Sequence, residues 1–144
     1  MTHHEDPRQR VQASFERQGL MRELGARVHH VAKGECIIEL PYSGKVTQQQ
    51  GAFHGGAVGA LADIAAGYAA LTVAPVGMEV VSVEYKINFL AACQGGVLRA
   101  SGRVVKPGRR VIVTSAEVTH IAEDGQETAC ALLQQTVMPV AQTY

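Results

Sequence analysis

The longest mostly apolar segment of the chain runs from Gly56 to about Val73 and has the length of an α-helix. It is apolar on nearly every face, which is typical of a helix buried on most sides. Its glycines and many alanines make a thin cylinder that a sheet can wrap. Pro75 is expected to end the helix because proline has no backbone N–H to donate.

The residues after Pro75 predict four long antiparallel strands. Each segment is rich in valine and other strand-forming residues, and turns with proline or aspartate before glycine separate the last three. The predicted strands are Val80–Phe89, Val97–Lys106, Arg110–Ile121 and Thr128–Met138, with turns at Pro107-Gly108 and Asp124-Gly125.

The residues before Gly56 predict a surface helix and a short hairpin. Asp6 and Pro7 are typical of a helix start, and the helix is expected to reach about Gln18. The hairpin pairs two short strands across a glycine-containing turn, and a polar loop follows it. These segments are Ala26–Ala32, Lys33-Gly34, Cys36–Leu40 and residues 41–50. We therefore expect one domain over residues 1–144, with its core over about 24–139.

Composition narrows the class of protein. Of the 144 residues, 47% are hydrophobic and 18% are charged, and the formal net charge is zero, so no overall field attracts nucleic acid or an anionic membrane. Cys36, Cys93 and Cys130 are scattered, which argues against disulfides or structural zinc and fits a reducing cytoplasm.

The polar N-terminus lacks the apolar core of a signal peptide. Residues 55–76 are too rich in alanine and glycine, and carry Asp63 at mid-depth, for a membrane span.

Asp63 is the only charged residue between Val46 and Gly77, with histidine counted as neutral. An isolated carboxylate in apolar surroundings is unfavourable by several kcal/mol unless it finds partners or a proton. It follows the segment Gly51-Ala-Phe-His-Gly-Gly56, whose glycine pair opens the predicted helix. This pairing of a lone acid with a glycine-rich helix start is the strongest functional signal in the chain.

Several motifs resemble the hotdog-fold thioesterase superfamily, in its branch of phenylacetate-pathway and related acyl-CoA thioesterases. The resemblance covers about residues 20–138. The matching segments are Gly51-Ala-Phe-His-Gly-Gly56, Leu61-Ala-Asp63, Ser82-Val-Glu-Tyr-Lys-Ile-Asn-Phe-Leu90 and Val105-Lys-Pro-Gly-Arg109. The resemblance implies an α+β fold in which an antiparallel sheet wraps a long central helix. It also implies pairing of two such units, and usually a tetramer of two pairs.

The chemistry of these residues suits thioester hydrolysis. Unpaired N–H groups at a helix start carry partial positive charge, so Gly55, with Gly56, would bind the thioester carbonyl oxygen. Asp63 would be the nucleophile or the base that activates water. The alternative is a purely structural role, in which the glycines serve only the turn into the helix and Asp63 is a buried acid held by nearby donors.

The spacing of Gly55 and Asp63 adds a constraint. Eight residues span about 12 Å of helix, so one substrate carbonyl cannot contact both Gly55 and Asp63 of the same chain. If both act, the site needs two subunits.

Other residues are assigned lesser roles. Gln48 occupies a position where the family often has Asn, and its amide would help to position substrate. Ser82 would bond Asp63 or the attacking water, and a merely sheet-lining serine is the alternative. His54 is expected to orient the loop or bond across the interface, with a chemical role as the less favoured alternative. The acyl group would lie between subunits near Phe53, Ala60 and Ile64.

A basic segment is the candidate site for the phosphates of coenzyme A. Residues 86–116 contain six lysines and arginines and no acid. Some of these cations are expected only to solvate the sheet. The turn that carries Lys106, Arg109 and Arg110 is the better candidate.

Three functions remain open from the sequence. The leading one is hydrolysis of a medium-chain or aryl acyl-CoA to free acid and CoA, without a metal or organic cofactor, in a cytoplasmic homodimer or homotetramer. A second is a dehydratase or hydratase of acyl thioesters with His54 as base. The third is a non-catalytic acyl-CoA-binding protein.

Overall fold

The computed structural model describes residues 5–144, which form one six-stranded antiparallel sheet and three α-helices. The strand order across the sheet is β1-β2-β4-β5-β6-β3, so β3 pairs with the last strand and not with its neighbours in sequence. The helices are α1 (Pro7–Phe15), α2 (Gly19–Leu24) and α3 (Gly55–Leu71), and the strands are β1 (Arg27–Ala32), β2 (Glu35–Pro41), β3 (Met78–Phe89), β4 (Val97–Lys106), β5 (Ile112–Ile121) and β6 (Glu127–Ala141).

The sheet wraps α3, as the sequence predicts. The helix buries Ala62, Ala65, Ala66 and Ala69 completely. Alternate residues of β4, β5 and β6 face it, which gives these strands their alternating burial. The small side chains of α3 let the sheet approach closely, and this approach sets where each strand residue meets the helix.

The N-terminal region departs from the prediction of one helix to Gln18. The helix α1 begins as expected, with the Asp6 side chain accepting a hydrogen bond from the Arg8 N–H, but it ends at Phe15. Gln18 is extended and a second helix, α2, follows it. The Arg22 guanidinium donates to the Glu16 carbonyl, so a side chain satisfies the end of α1. Gly25, at φ 82°, ends α2 in the left-handed conformation.

Smaller differences concern element ends. The helix α3 runs from Gly55 to Leu71 and stops before Val73, because the Thr72 hydroxyl donates to the Ala69 carbonyl while accepting from the Gly34 N–H. The strand β5 starts at Ile112, so Arg109 and Arg110 lie in the preceding turn. A short 3-10 helix, Gly44–Val46, lies within the predicted polar loop.

No helix within residues 5–144 is long and apolar enough to span a membrane. The apolar segment around Asp63 is therefore a core helix in this fold.

We predict that Gly102→Ala lowers the free energy of unfolding by about 1–3 kcal/mol or more. A methyl group on Gly102 of β4 would overlap the backbone carbonyl of Ala65 in α3, so helix and sheet would have to separate. Urea unfolding at one protein concentration measures the change. Ser101→Ala is the matched control because the adjacent Ser101 is exposed. Equal stability of the two variants would contradict this account of the packing.

Candidate active site

Asp63 lies at the middle of α3 and is held by side chains from the sheet. The Ser82 hydroxyl on β3 donates to Asp63 Oδ1 over 2.7 Å. The Gln135 amide on β6 also donates to Oδ1, and to Ser82 Oγ over 3.1 Å. Asp63 Oδ2 accepts no hydrogen bond from residues 5–144. The carboxylate thus has one oxygen held by hydrogen bonds and one without a hydrogen-bond partner in the described part of the chain.

Gln135 was missed by sequence reasoning, although a signal for it exists. The inward-facing residues of β6 are otherwise apolar around it, with Ala131, Leu133 and Val137 all buried. A glutamine among them has to find partners inside the protein. Thr114 interrupts the inward face of β5 in the same way, and the register places it directly opposite Gln135. Two polar residues meeting inside an apolar face would have indicated a functional cluster.

A cavity of about 70 Å³ adjoins Asp63 and Ser82. Its far wall includes Tyr68, which is buried and hydrogen-bonded to Ser14 and Gln18 of the N-terminal region. Burial raises the pKa of Tyr68 to about 12, against the smaller lowering effect of these hydrogen bonds, so this phenol stays protonated. Ile64, predicted to contact the acyl group, lies in the same cavity wall.

Gly55 opens α3 beside a second, larger cavity of about 340 Å³, which Gln48 and Phe53 also line. The next three amides are bonded: Gly56 N–H to His54 Nδ1, and the N–H groups of Ala57 and Val58 to the His54 carbonyl. The Gly55 N–H has no partner among residues 5–144. Of these four amides it is the one left available as a hydrogen-bond donor.

His54 caps the helix. Its Nδ1 accepts from the Gly56 N–H over 2.7 Å, so this nitrogen carries no proton in the structure. A side chain on Gly56 would come within 2.9 Å of Nδ1, which gives Gly56 a structural reason to be glycine. Its amide reaches a substrate only if the histidine ring turns away. His54, Gly56 and Ala60 line a separate cavity from that of Gly55.

The loop before α3 is fixed by aromatic packing and hydrogen bonds. Phe53 packs edge-on against Tyr42 and His120, with centroids 5.3 and 6.2 Å away. The Tyr42 hydroxyl donates to the Gly51 carbonyl over 2.7 Å. Gln48 Oε1 accepts from the Gln50 N–H, which leaves the Gln48 amide nitrogen free to donate.

Two buried thiols, Cys93 and Cys130, also line the cavity at Gly55. Burial, reinforced by the nearby Cys93, raises the pKa of Cys130 to about 12. Cys130 therefore remains a neutral thiol near neutral pH and is a poor nucleophile.

The basic turn lies at the same end of the sheet as Ser82. Lys106 pairs with Val113 on β5, and the adjacent Ile112 pairs with Val137, which pairs with Ser82. Three strand spacings of about 4.8 Å separate β4 from β3, or about 14 Å. Lys106, Arg109 and Arg110 are exposed and form no salt bridge with residues 5–144.

Comparison with known proteins places the chain in a family. The model of the thioesterase superfamily matches residues 50–128, which hold Gly55, Asp63 and Ser82. The chain belongs to the thioesterase superfamily. A crystal structure of a thioesterase family protein from Silicibacter pomeroyi has a TM-score of 0.91 at 36% identity, covering 95% of this chain and 100% of that one.

Two further relatives extend this result. The 1,4-dihydroxy-2-naphthoyl-CoA hydrolase of Listeria monocytogenes is 30% identical over 105 residues, covering 73% of this chain and 85% of the relative. The PaaI protein of the E. coli phenylacetic acid degradation operon has a TM-score of 0.82 at 22% identity, with 95% of each chain covered, and shows the shared fold. The thioesterase is thus a hotdog-fold enzyme that hydrolyses thioesters, as the sequence motifs indicate.

Within one chain of this thioesterase, the predicted site residues fall into separate groups. Asp63 and Ser82 share one cavity, Gln48, Phe53 and Gly55 share another, and His54 and Gly56 share a third. Asp63 and Gly55 line no common cavity among these three. This separation agrees with the spacing argument that one chain alone cannot place both on one carbonyl group.

Proposed function

We propose that this thioesterase hydrolyses acyl-CoA thioesters with medium-chain or aryl acyl groups, at a site shared by two copies of the chain. The observation that carries the proposal is a pair of groups on one helix without hydrogen-bond partners in residues 5–144. They are the Gly55 N–H at the helix start and Asp63 Oδ2 at its middle, which border different cavities. The Listeria relative is named for a CoA thioester of an aryl acid, which supports CoA and an aryl acyl group here.

The open edge of the sheet supports the shared site. The strand β3 pairs with β6 on one side and with no strand of residues 5–144 on the other. Its helix-facing residues Tyr85 and Phe89 are 44% and 55% exposed. An unpaired edge strand with exposed apolar side chains is a ready template for pairing with another copy. We therefore assign this edge to the dimer interface.

The positions along β3 show why such pairing would complete the site. The strand runs antiparallel to α3, with Phe89 next to Gly55 and Ser82 bonded to Asp63. Antiparallel pairing of two β3 strands about a two-fold axis at Lys86 sets each Ser82 opposite the Phe89 of the other copy, because the β-bulge between Ser82 and Glu84 takes up one residue. Asp63 of one subunit then adjoins Gly55 of the other, and the dimer has two equal sites.

In this site the reaction uses the chain's own groups and water. The Gly55 N–H donates to the thioester oxygen and stabilises the negative charge that develops there. Asp63 Oδ2 of the partner subunit takes a proton from a water molecule, whose oxygen bonds to the carbonyl carbon. The carbon–sulfur bond breaks, and the CoA thiolate leaves and takes up the proton. Alternatively, Oδ2 itself attacks and water then hydrolyses the resulting anhydride.

The supporting residues take the roles that their contacts favour. Ser82 orients Asp63, since its hydroxyl donates to Oδ1. Gln48, with its free amide nitrogen beside Gly55, donates to the bound thioester. His54 holds the helix start in the orientation that exposes the Gly55 amide. The cations of the basic turn bind the CoA phosphates.

Asp63→Asn tests the reaction directly. We expect at least a 100-fold loss of kcat, because the amide is neither a base nor a nucleophile at this position. A thiol-release assay over a panel of acyl-CoAs measures it, with Asp124→Asn in the exposed β5–β6 turn as the control. Full activity of Asp63→Asn with none in His54→Ala would favour histidine chemistry instead. Tight CoA binding without any thiol release from the native protein would favour a binding protein.

Mixed dimers test the shared site. Gly55→Pro removes the N–H donor at the first helical position, where proline is well tolerated, and Gly55→Ala keeps the donor as a control. We expect Gly55→Pro and Asp63→Asn homodimers to be inactive. Each Gly55→Pro/Asp63→Asn heterodimer retains one intact site, because its two intact groups meet.

Random mixing puts half of the subunit pairs in heterodimers, so activity should return to about one quarter of the native level. Differently tagged subunits, purified as heterodimers, give the activity per dimer. If purified heterodimers are as inactive as either homodimer, the site lies within one chain and the proposal of a shared site is wrong.

The double variant Arg109→Gln/Arg110→Gln tests the CoA site. We expect its KM for an acyl-CoA to rise about tenfold, which corresponds to about 1.4 kcal/mol of binding free energy. The same acyl group on N-acetylcysteamine keeps the thioester and lacks the phosphates, so its KM should not change. An equal rise for both substrates would show that the turn acts on folding or assembly and not on the phosphates.

A further inference from the structure

Gln135 is a fully buried amide whose polar atoms are all bonded. Its side chain lies on the inward face of β6 with no solvent exposure. Burying an amide is unfavourable without hydrogen bonds, and an apolar side chain would fill the same space without this requirement. Packing alone therefore gives no reason for a glutamine at this position.

Thr114 fixes the orientation of this amide. Its hydroxyl, also fully buried, donates to Gln135 Oε1 over 3.0 Å from the directly opposed position on β5. With Oε1 held there, Gln135 Nε2 points toward Asp63 and Ser82. It donates to Asp63 Oδ1 and to Ser82 Oγ. The chain of contacts runs from β5 through β6 to the carboxylate on α3.

The consequence for Asp63 is a difference between its two oxygens. Oδ1 accepts from both Gln135 and Ser82, and Oδ2 accepts from no residue of 5–144. Two donors on one oxygen fix both the side-chain rotation and the tilt of the carboxylate plane. A carboxylate held in this way offers a defined lone pair of the other oxygen to the substrate.

We propose that Gln135, held by Thr114, is a positioning residue that fixes Asp63 so that Oδ2 is the reacting oxygen. The proposal rests on the proposed role of Asp63 in thioester hydrolysis. Gln135 does not contact the substrate in this arrangement and acts through the carboxylate. Its loss should therefore lower the rate of the chemical step and leave substrate binding nearly unchanged.

Two substitutions test the proposal in the full-length protein. Gln135→Met keeps the length of the side chain without hydrogen bonds, and we expect kcat to fall about 10- to 100-fold with KM changed less than about twofold. Thr114→Val keeps the shape of threonine without its hydroxyl, and we expect a fall of about 3- to 10-fold. Thr114→Ser restores the hydroxyl and should return kcat to within about twofold of the native enzyme.

Thr136→Val is the matched control, because Thr136 follows Gln135 on β6 but bonds Glu84 at the exposed surface. Circular dichroism and thermal unfolding confirm that each variant is folded. If Gln135→Met does not fold, the Thr114 series decides. Native kcat in Thr114→Val, a rise in KM at constant kcat, or failure of Thr114→Ser to restore the rate would each overturn the proposal.

Asp63→Asn in the same assay separates this inference from the proposed function. If Asp63→Asn retains activity, the proposed catalytic role of Asp63 is wrong. If it is inactive while Gln135→Met and Thr114→Val match the native enzyme, Asp63 is catalytic and only the positioning role fails. Loss of activity in Gln135→Met with an active Asp63→Asn would show that Gln135 does not act through Asp63.

Discussion

The close fit of one thin helix inside the sheet is the constraint on which the structure depends. The helix α3 presents backbone and methyl groups to β4, where Gly102 leaves no room for a side chain. Because the helix cannot slide or turn in this groove, every residue along it has a fixed neighbour in the sheet. Asp63 meets Ser82 and Gln135, and Gly55 meets Phe89, for this reason. The packing of the core therefore also determines the geometry of the site.

The same constraint explains how an acid is tolerated in so apolar a helix. A carboxylate facing only alanines would be protonated or would weaken the fold. The sheet supplies two donors to one of its oxygens, and the residue also borders a cavity. The polar cluster is thus small enough to leave the core apolar and sufficient to hold the side chain in place.

The sequence predicted the parts of the structure that depend on local pattern. The presence and approximate position of α3, the hairpin at Gly34 and the strands of the second half follow from periodicity and turn residues, and the fold class followed from the motifs around Gly55 and Asp63. The break between α1 and α2 was not predictable from local pattern, since it is accompanied by a side-chain bond from Arg22 of the second helix to the Glu16 carbonyl at the end of the first. Gln135 was overlooked because its contact with Asp63, 72 positions earlier in the chain, depends on the register of the strands.

The position of β3 has a consequence for how the chain folds. Among residues 5–144 its one neighbour in the sheet is β6, which follows it in the chain after two other strands, so on the ribosome β3 emerges well before β6 can pair with it. Contacts between segments so distant in sequence form slowly, and an unpaired strand with exposed apolar side chains can associate with other chains in the meantime. A nascent chain that stops before residue 127 would hold β3 without its partner strand beside the folded helix α3. We expect chaperones to bind such a chain.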